Sequence, residues 1–104
     1  MKTVEDLNTL IPYITNMILS KGIAESSYEE DDDEDGRYMV ERPGFNSVVY
    51  DHDGWFIEVT FYSFEDGHIE IDDANVCYED PETGEGIDFE GPELSELFRA
   101  IENL

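Results

Sequence analysis

Apolar residues fall in blocks along the chain, and the spacing within the blocks changes at Arg37. In the first block, TVEDLNTLIPYITNMILSKG, the residues Val4, Leu7, Leu10, Ile11, Ile14, Met17 and Ile18 recur at helical intervals. Thr3 is placed to cap this helix, and Glu5 and Asp6 lie in its first turn, where the backbone dipole favours acids. Lys21 and Gly22 supply a stop: a cation in the last turn, then a residue free to take a left-handed backbone. Pro12 lacks an amide hydrogen, so it kinks the helix or restarts it near Asn8–Thr9. The pattern predicts a helix over Val4–Ser20 with a bend near Pro12.

From Arg37 the period becomes two. RYMVER ends at the turn pair Pro43-Gly44, and SVVYD leads into the turn HDG. WFIEVTFYSF and HIEIDDANVCYE are joined by EDG, and Pro81 to Gly86 turns the chain into the short strand IDF. Runs joined by short glycine turns predict an antiparallel meander. The EDG turn also fixes a register. A two-residue turn at Asp66-Gly67 sets Phe61 opposite Asp72 and mixes core with surface. A three-residue loop with Gly67 left-handed sets Phe61 opposite Ile71 and Ser63 opposite Ile69. It also sets Tyr62 opposite Glu70, Thr60 opposite Asp72 and Phe64 opposite His68. Only this second register keeps one face apolar.

The closing block, GPELSELFRAIENL, has Pro92 suited to the first helical position and one stripe of Leu94, Leu97, Phe98, Ile101 and Leu104. Two amphipathic helices and one apolar sheet face combine most simply with both helices on that face. The expected fold is α+β: an antiparallel β-meander of four to five strands, with an N-terminal and a C-terminal helix packed on one face. One domain spans 1–104, with no internal repeat. The other sheet face, carrying Glu58, Thr60, Tyr62, Glu70 and Asp72, is left in water.

Residues 22–36 interrupt this pattern. They hold eight acids, seven of them consecutive from Glu29 to Asp35, and little that is apolar beyond Ile23 and Tyr28. They are expected to form an exposed acidic loop, long enough to suggest function or disorder.

Charge sharpens the picture. The chain has 28 acids against 5 bases, a formal net charge of −23. Such a balance with low hydropathy favours disorder in general, but here the apolar residues are periodic and include six tyrosines, six phenylalanines and a tryptophan. A folded domain that tolerates strong self-repulsion is expected. The lone Cys77 suits a reducing compartment. The opening MKTVEDLNTL does not read as a signal peptide, and no apolar run reaches membrane-spanning length. A cytoplasmic protein is expected, in the host cytoplasm if phage-encoded. Nucleic acid and anionic membrane surfaces repel it, so neither is a direct partner.

Several site chemistries can be weighed. Asp31, Asp33, Asp35 and Gly36 match the first half of a calcium loop, D-x-D-x-D-G. The twelfth position of that loop requires a bidentate glutamate but is Arg42, and Pro43-Gly44 follows where a helix is needed. Asp51, His52, Asp53 and His68 match no metal spacing. Cys77 reads as a small buried apolar residue. Carboxylate pairs are everywhere and therefore single out none, and there is no phosphate loop or serine elbow. Neither enzyme activity, a metal nor a cofactor is expected.

An excess of acid in nearly every segment points instead to a basic protein partner. Alternate residues on one strand face lie roughly 6.6–6.8 Å apart, comparable to phosphates along a wound DNA strand. In size, charge and small α/β build the chain resembles the small acidic DNA-mimic inhibitors, many made by phages, that block restriction enzymes, CRISPR effectors, uracil-DNA glycosylase or nucleoid proteins. That resemblance implies a partner with a basic nucleic-acid-binding surface. The residues expected to meet it are Glu29, Glu30, Asp31, Asp32, Asp33, Glu34, Asp35, Glu58, Tyr62, Glu70 and Asp72. Tyr62 and Tyr28 are expected to be exposed, where aromatics serve as interface anchors. A homodimer stays open. Two alternatives remain: an immunity protein or antitoxin for a cationic nuclease, and a domain adapted to high salt.

Overall fold

The computed structural model describes residues 2–33 and 36–104, with only the backbone of Asp33. The chain opens with two helices, α1 (Val4–Asn8) and α2 (Ile11–Lys21). They are the expected helix, restarted rather than bent. Leu10 donates to the Leu7 carbonyl, and Pro12 then sits within the first turn of α2, where its missing amide costs nothing. The Thr3 amide donates to the Asp6 carboxylate at 2.8 Å, closing the start of α1.

Four strands form the body: β3 (Gly44–His52), β4 (Trp55–Ser63), β5 (Ile69–Glu79) and β6 (Gly86–Phe89). They are antiparallel and adjacent in chain order. The β3–β4 turn is Asp53-Gly54, both with positive φ (52° and 86°), the two-residue geometry whose twist suits a hairpin. The β4–β5 turn keeps the three-residue register: Phe61 faces Ile71, Tyr62 faces Glu70 and Ser63 faces Ile69, with Gly67 at φ 93°. Beyond Phe61 the register slips, so Thr60 faces Asp73 rather than Asp72. Asp72 is the extra residue of a bulge, and its carboxylate still accepts from the Thr60 hydroxyl at 3.3 Å.

A short 3-10 turn at Gly91–Leu94 leads into α3 (Ser95–Glu102). Both α2 and α3 pack on the sheet face carrying Trp55, Ile57, Val59 and Phe61. Leu7, Ile14, Ile18, Leu97 and Ile101 complete a core in which each is fully buried. The α+β arrangement with terminal helices on one sheet face is therefore present.

The acidic segment differs from expectation. Ser27–Asp33 is a strand, β1, paired antiparallel with β2 (Gly36–Arg42) from Ser27↔Arg42 to Asp33↔Gly36. Residues 27–33 of the expected loop at 22–36 are thus one strand of a hairpin. Pro43-Gly44 is not a reversing turn either: β2 runs on into β3 with Pro43 alone between them, and β2 pairs with β1 instead of β3. Pro43 has no amide to give to a ladder, which breaks the pairing there.

The shape follows from this continuity. From Gly36 to His52, strand geometry at about 3.3 Å per residue spans roughly 56 Å. The molecule measures 61 × 26 × 20 Å, and its radius of gyration is 17.1 Å. A compact domain of this length has a radius near 13 Å. The hairpin therefore projects along the strand direction, and among the described residues its strands contact each other far more than the body.

Candidate functional site

The arm is a strand of acids stitched to a strand holding two of the five bases. Alternation puts Glu29, Asp31, Val40 and Arg42 on one side and Glu30, Asp32, Met39 and Arg37 on the other. Arg42 lies 3.4 Å from Glu29 and 3.5 Å from Asp31. Arg37 lies 3.3 Å from Glu30 and 3.2 Å from Asp32. Each guanidinium thus bridges two carboxylates on its own side, and both sides remain in solvent. Single exposed pairs contribute little, on the order of 0–1 kcal/mol, but here two forks span four acids across a two-stranded ribbon that has no core of its own. Tyr28, Tyr38 and Met39 are exposed beside them.

The base of the arm is tied down. Residues 22–26 cross the inner end of β3 and β4. The Ser63 hydroxyl donates to the Ala24 carbonyl, Asn46 donates to the Gly22 carbonyl at 3.1 Å, and the Lys21 ammonium donates to the Ser47 carbonyl. Gly44 is where this crossing touches: a Cβ there would stand 2.5 Å from the Ala24 oxygen and 2.6 Å from that of Glu25. On the other side the Glu65 amide donates to the Glu41 carboxylate at 3.0 Å. A hydrogen bond to Glu65, with partial burial and the neighbouring carboxylates, pushes the Tyr28 phenol up to about 12.

The second acidic surface is the outer face of the body sheet, opposite the helices. Register aligns Phe45, Tyr62 and Glu70 in one row, Ser47, Thr60 and Asp73 in the next, then Val49, Glu58 and Asn75, then Asp51, Phe56, Cys77 and Asp88. The face is therefore divided. Its β3–β4 half carries exposed Phe45, Val49 and Phe56 (53%, 43% and 36%) with Asp51 and Glu58 among them, and its β5–β6 half carries Glu70, Asp73 and Asp88. Phe45 leans on Tyr62, ring centroids 5.2 Å apart, which leaves Tyr62 half-buried rather than exposed as expected. Tyr28 is exposed, at 52%.

Of the residues singled out in the sequence, Glu29, Glu30, Asp31 and Asp32 lie on the arm. Asp33 ends β1, while Glu34 and Asp35 lie outside the described residues. Glu58 and Tyr62 lie on β4, and Glu70 and Asp72 on β5, in the separate body sheet. The two groups share no sheet. Phe45, Val49, Asp51, Phe56, Asp73 and Asp88 join the second group unforeseen. The DG turn alone could have placed three of them, since it sets Val49 opposite Glu58 and Asp51 opposite Phe56.

Cys77 is on this outer face and half-buried, not in the core. Partial burial and the carboxylates of Asp88, Glu79 and Asp51 push its thiol up, away from the reactive thiolate. His52 and His68 sit at opposite ends of β4, roughly 30 Å apart by strand rise, so no one ion can bridge them. Among the described residues no group of three or more His, Cys, Asp or Glu side chains is arranged to hold a metal. Asp66 bonds His68, raising the imidazole and lowering its own carboxyl, and the His68 ring stacks on Phe64 at 4.2 Å. Among the described residues no helix is long and apolar enough to cross a membrane.

No protein-family model, curated protein or solved structure matches the chain.

Proposed function

We propose that the chain is a DNA-mimic inhibitor: it occupies the basic nucleic-acid-binding surface of a defence or DNA-processing protein, of the anti-restriction or anti-CRISPR kind, and blocks access of DNA. The observation that carries this reading is charge spread along a rod. A net charge of −23 over 61 Å is one charge per about 2.7 Å. Duplex DNA carries one per roughly 1.7 Å of axis and a single strand one per roughly 3.4 Å. The rod is as long as about 18 base pairs at that rise. A cationic groove shaped for DNA would draw it in by long-range attraction, with a fast, salt-sensitive encounter.

The test is displacement. Proteins from a lysate of the source or host cell are retained on duplex DNA-cellulose, then challenged with this protein or with polyglutamate of equal charge. The reading expects specific proteins to be released by the chain at concentrations where polyglutamate releases none. Release no better than polyglutamate refutes it.

A second reading is favoured by the divided outer face. An immunity protein or antitoxin needs a compact patch with anchoring aromatics rather than a long charge track, and the Phe45–Tyr62 pair beside carboxylates fits that description. Its partner would be one cationic nuclease, inactivated in equimolar complex whether or not DNA competes.

A further inference from the structure

We infer that the outer face of the four-stranded sheet docks a protein surface presenting arginines, their guanidinium groups stacked on its aromatic half and paired with its acidic half. This rests on the reading of the chain as a ligand for a basic protein, common to both proposals above, and it names the side chain that protein must carry.

Among the described residues no helix covers the face, because α2 and α3 pack on the opposite side. Scattered exposed apolar residues need no explanation, but Phe45, Val49 and Phe56 stand on one face of two paired strands, with Tyr62 completing the first row. Carboxylates adjoin them directly. Glu70 stands opposite Tyr62, Glu58 is between Val49 and Asn75, and Asp88 lies across Cys77 from Phe56.

Charge complementarity selects the occupant. A second copy of this chain would set acid on acid, with −23 on each side. A neutral apolar partner would cover the aromatics but desolvate unpaired carboxylates. Lysine answers the charges, but its strongly hydrated ammonium is a point charge. The guanidinium is planar and less hydrated, so it stacks on an aromatic face and meets a carboxylate through a fork at the same time. Two stations are offered. Tyr62 and Phe56 lie six residues apart on β4, about 20 Å by strand rise, so two separate arginines are required.

The test compares oligo-arginine with oligo-lysine, each about nine residues long and so able to span both stations. Binding is measured by calorimetry at about 150 mM salt, where exposed long-range charge is screened. Contacts are mapped by amide chemical shifts. Oligo-arginine is expected to bind on the order of five- to tenfold more tightly, with shifts centred on Phe45, Phe56 and Tyr62. The double variant Phe45→Ser, Phe56→Ser is expected to lose that preference and keep its affinity for oligo-lysine. Equal affinities in the wild type, shifts confined to the arm, or an undiminished preference in the variant overturns the inference. If the variant fails to fold, the wild-type comparison and its shift map decide alone. Equal affinities together with specific displacement from DNA-cellulose leave the mimic reading standing while this one falls. Arginine preference without displacement does the reverse.

Discussion

Replacing Gly44 by alanine sets two effects of opposite sign against each other. Gly44 lies in a strand and does not need positive φ, so alanine should fit its backbone. By conformational entropy alone, Gly44→Ala would stabilise by about 0.4–1 kcal/mol. The crossing of residues 22–26 reverses that sign. The new methyl would stand 2.5 Å from the Ala24 oxygen and 2.6 Å from the Glu25 oxygen, about 1 Å inside ordinary contact, and both are main-chain atoms that cannot swing aside. Forced overpacking costs about 1–3 kcal/mol. If the crossing moves off to relieve it, Ser63, at 2% exposure, loses the Ala24 carbonyl and keeps only a long 3.5 Å contact to the Gly44 carbonyl, and a poorly satisfied buried hydroxyl costs about 1–3 kcal/mol. These two costs are alternatives, so against the entropic gain the net expectation is a loss of about 1–2 kcal/mol, or roughly 4–16 °C in melting temperature for a domain of this size. Gly86→Ala is the control. It is also a strand glycine without positive φ, but its added methyl would meet only the Tyr78 oxygen, at 3.6 Å. Thermal melts followed by circular dichroism compare the three proteins in one buffer. A Gly44→Ala protein that melts at or above the wild type refutes the reasoning.

Three further outcomes are expected. Melting temperature should rise as salt goes from about 10 mM to 150 mM, over which the screening length shrinks from roughly 30 to 8 Å, and a flat profile would count against self-repulsion; folding only at molar salt would favour salt adaptation. Arg37→Gln with Arg42→Gln should speed hydrogen exchange of the Ser27–Asp32 amides and leave those of β4 unchanged, with global stability altered by no more than about 1 kcal/mol; uniform loss of protection would mean the arm is not independent. His68 should titrate above its ordinary 6.5 by NMR, because of Asp66, and Asp66→Asn should lower it. The sign follows from linkage. What protonated His68 adds is complete below about 6.5 and fades as pH rises through its raised pKa, whereas the Asp66 contribution holds above about 3.9 and fades as pH falls through its lowered pKa. An imidazole unaffected by Asp66→Asn would refute the pairing.

The body sheet was legible because one of its faces is buried. Burial imposes alternation on Trp55–Ser63, and alternation fixes register through the EDG turn to Ile69 and Ile71. Half of the arm was legible too, since RYMVER reads as a strand and is β2, but its acidic partner was not, for the same reason in reverse. Neither side of β1 packs on a core, so SYEEDDD carries no period, and acids have weak strand propensity. Across the ladder its acids meet Arg37 and Arg42, which in sequence look like two stray bases. The bulge at Asp72 escaped because Asp72-Asp73 offers two equivalent acids, and neither announces which is the extra one. Pro43-Gly44 was misread because its chemistry suits a turn, while its role is to interrupt a ladder and admit the Ala24 backbone. Of the candidate site, register finds Glu58, Glu70 and Asp72, but Phe45, Val49 and Asp51 belong to β3, whose place on that face depends on the separate Asp53-Gly54 turn.

The arm and the body also differ in what change they can absorb. The body's strands share a packed interior, so a substitution there is felt by its neighbours. The strands of the arm answer chiefly to each other. Lengthening it by a residue pair, redistributing its acids or exchanging its exposed tyrosines would leave the interior as it is. The fold therefore separates a part that must hold still from a part free to drift, so successive substitutions can accumulate in the arm without refolding the rest.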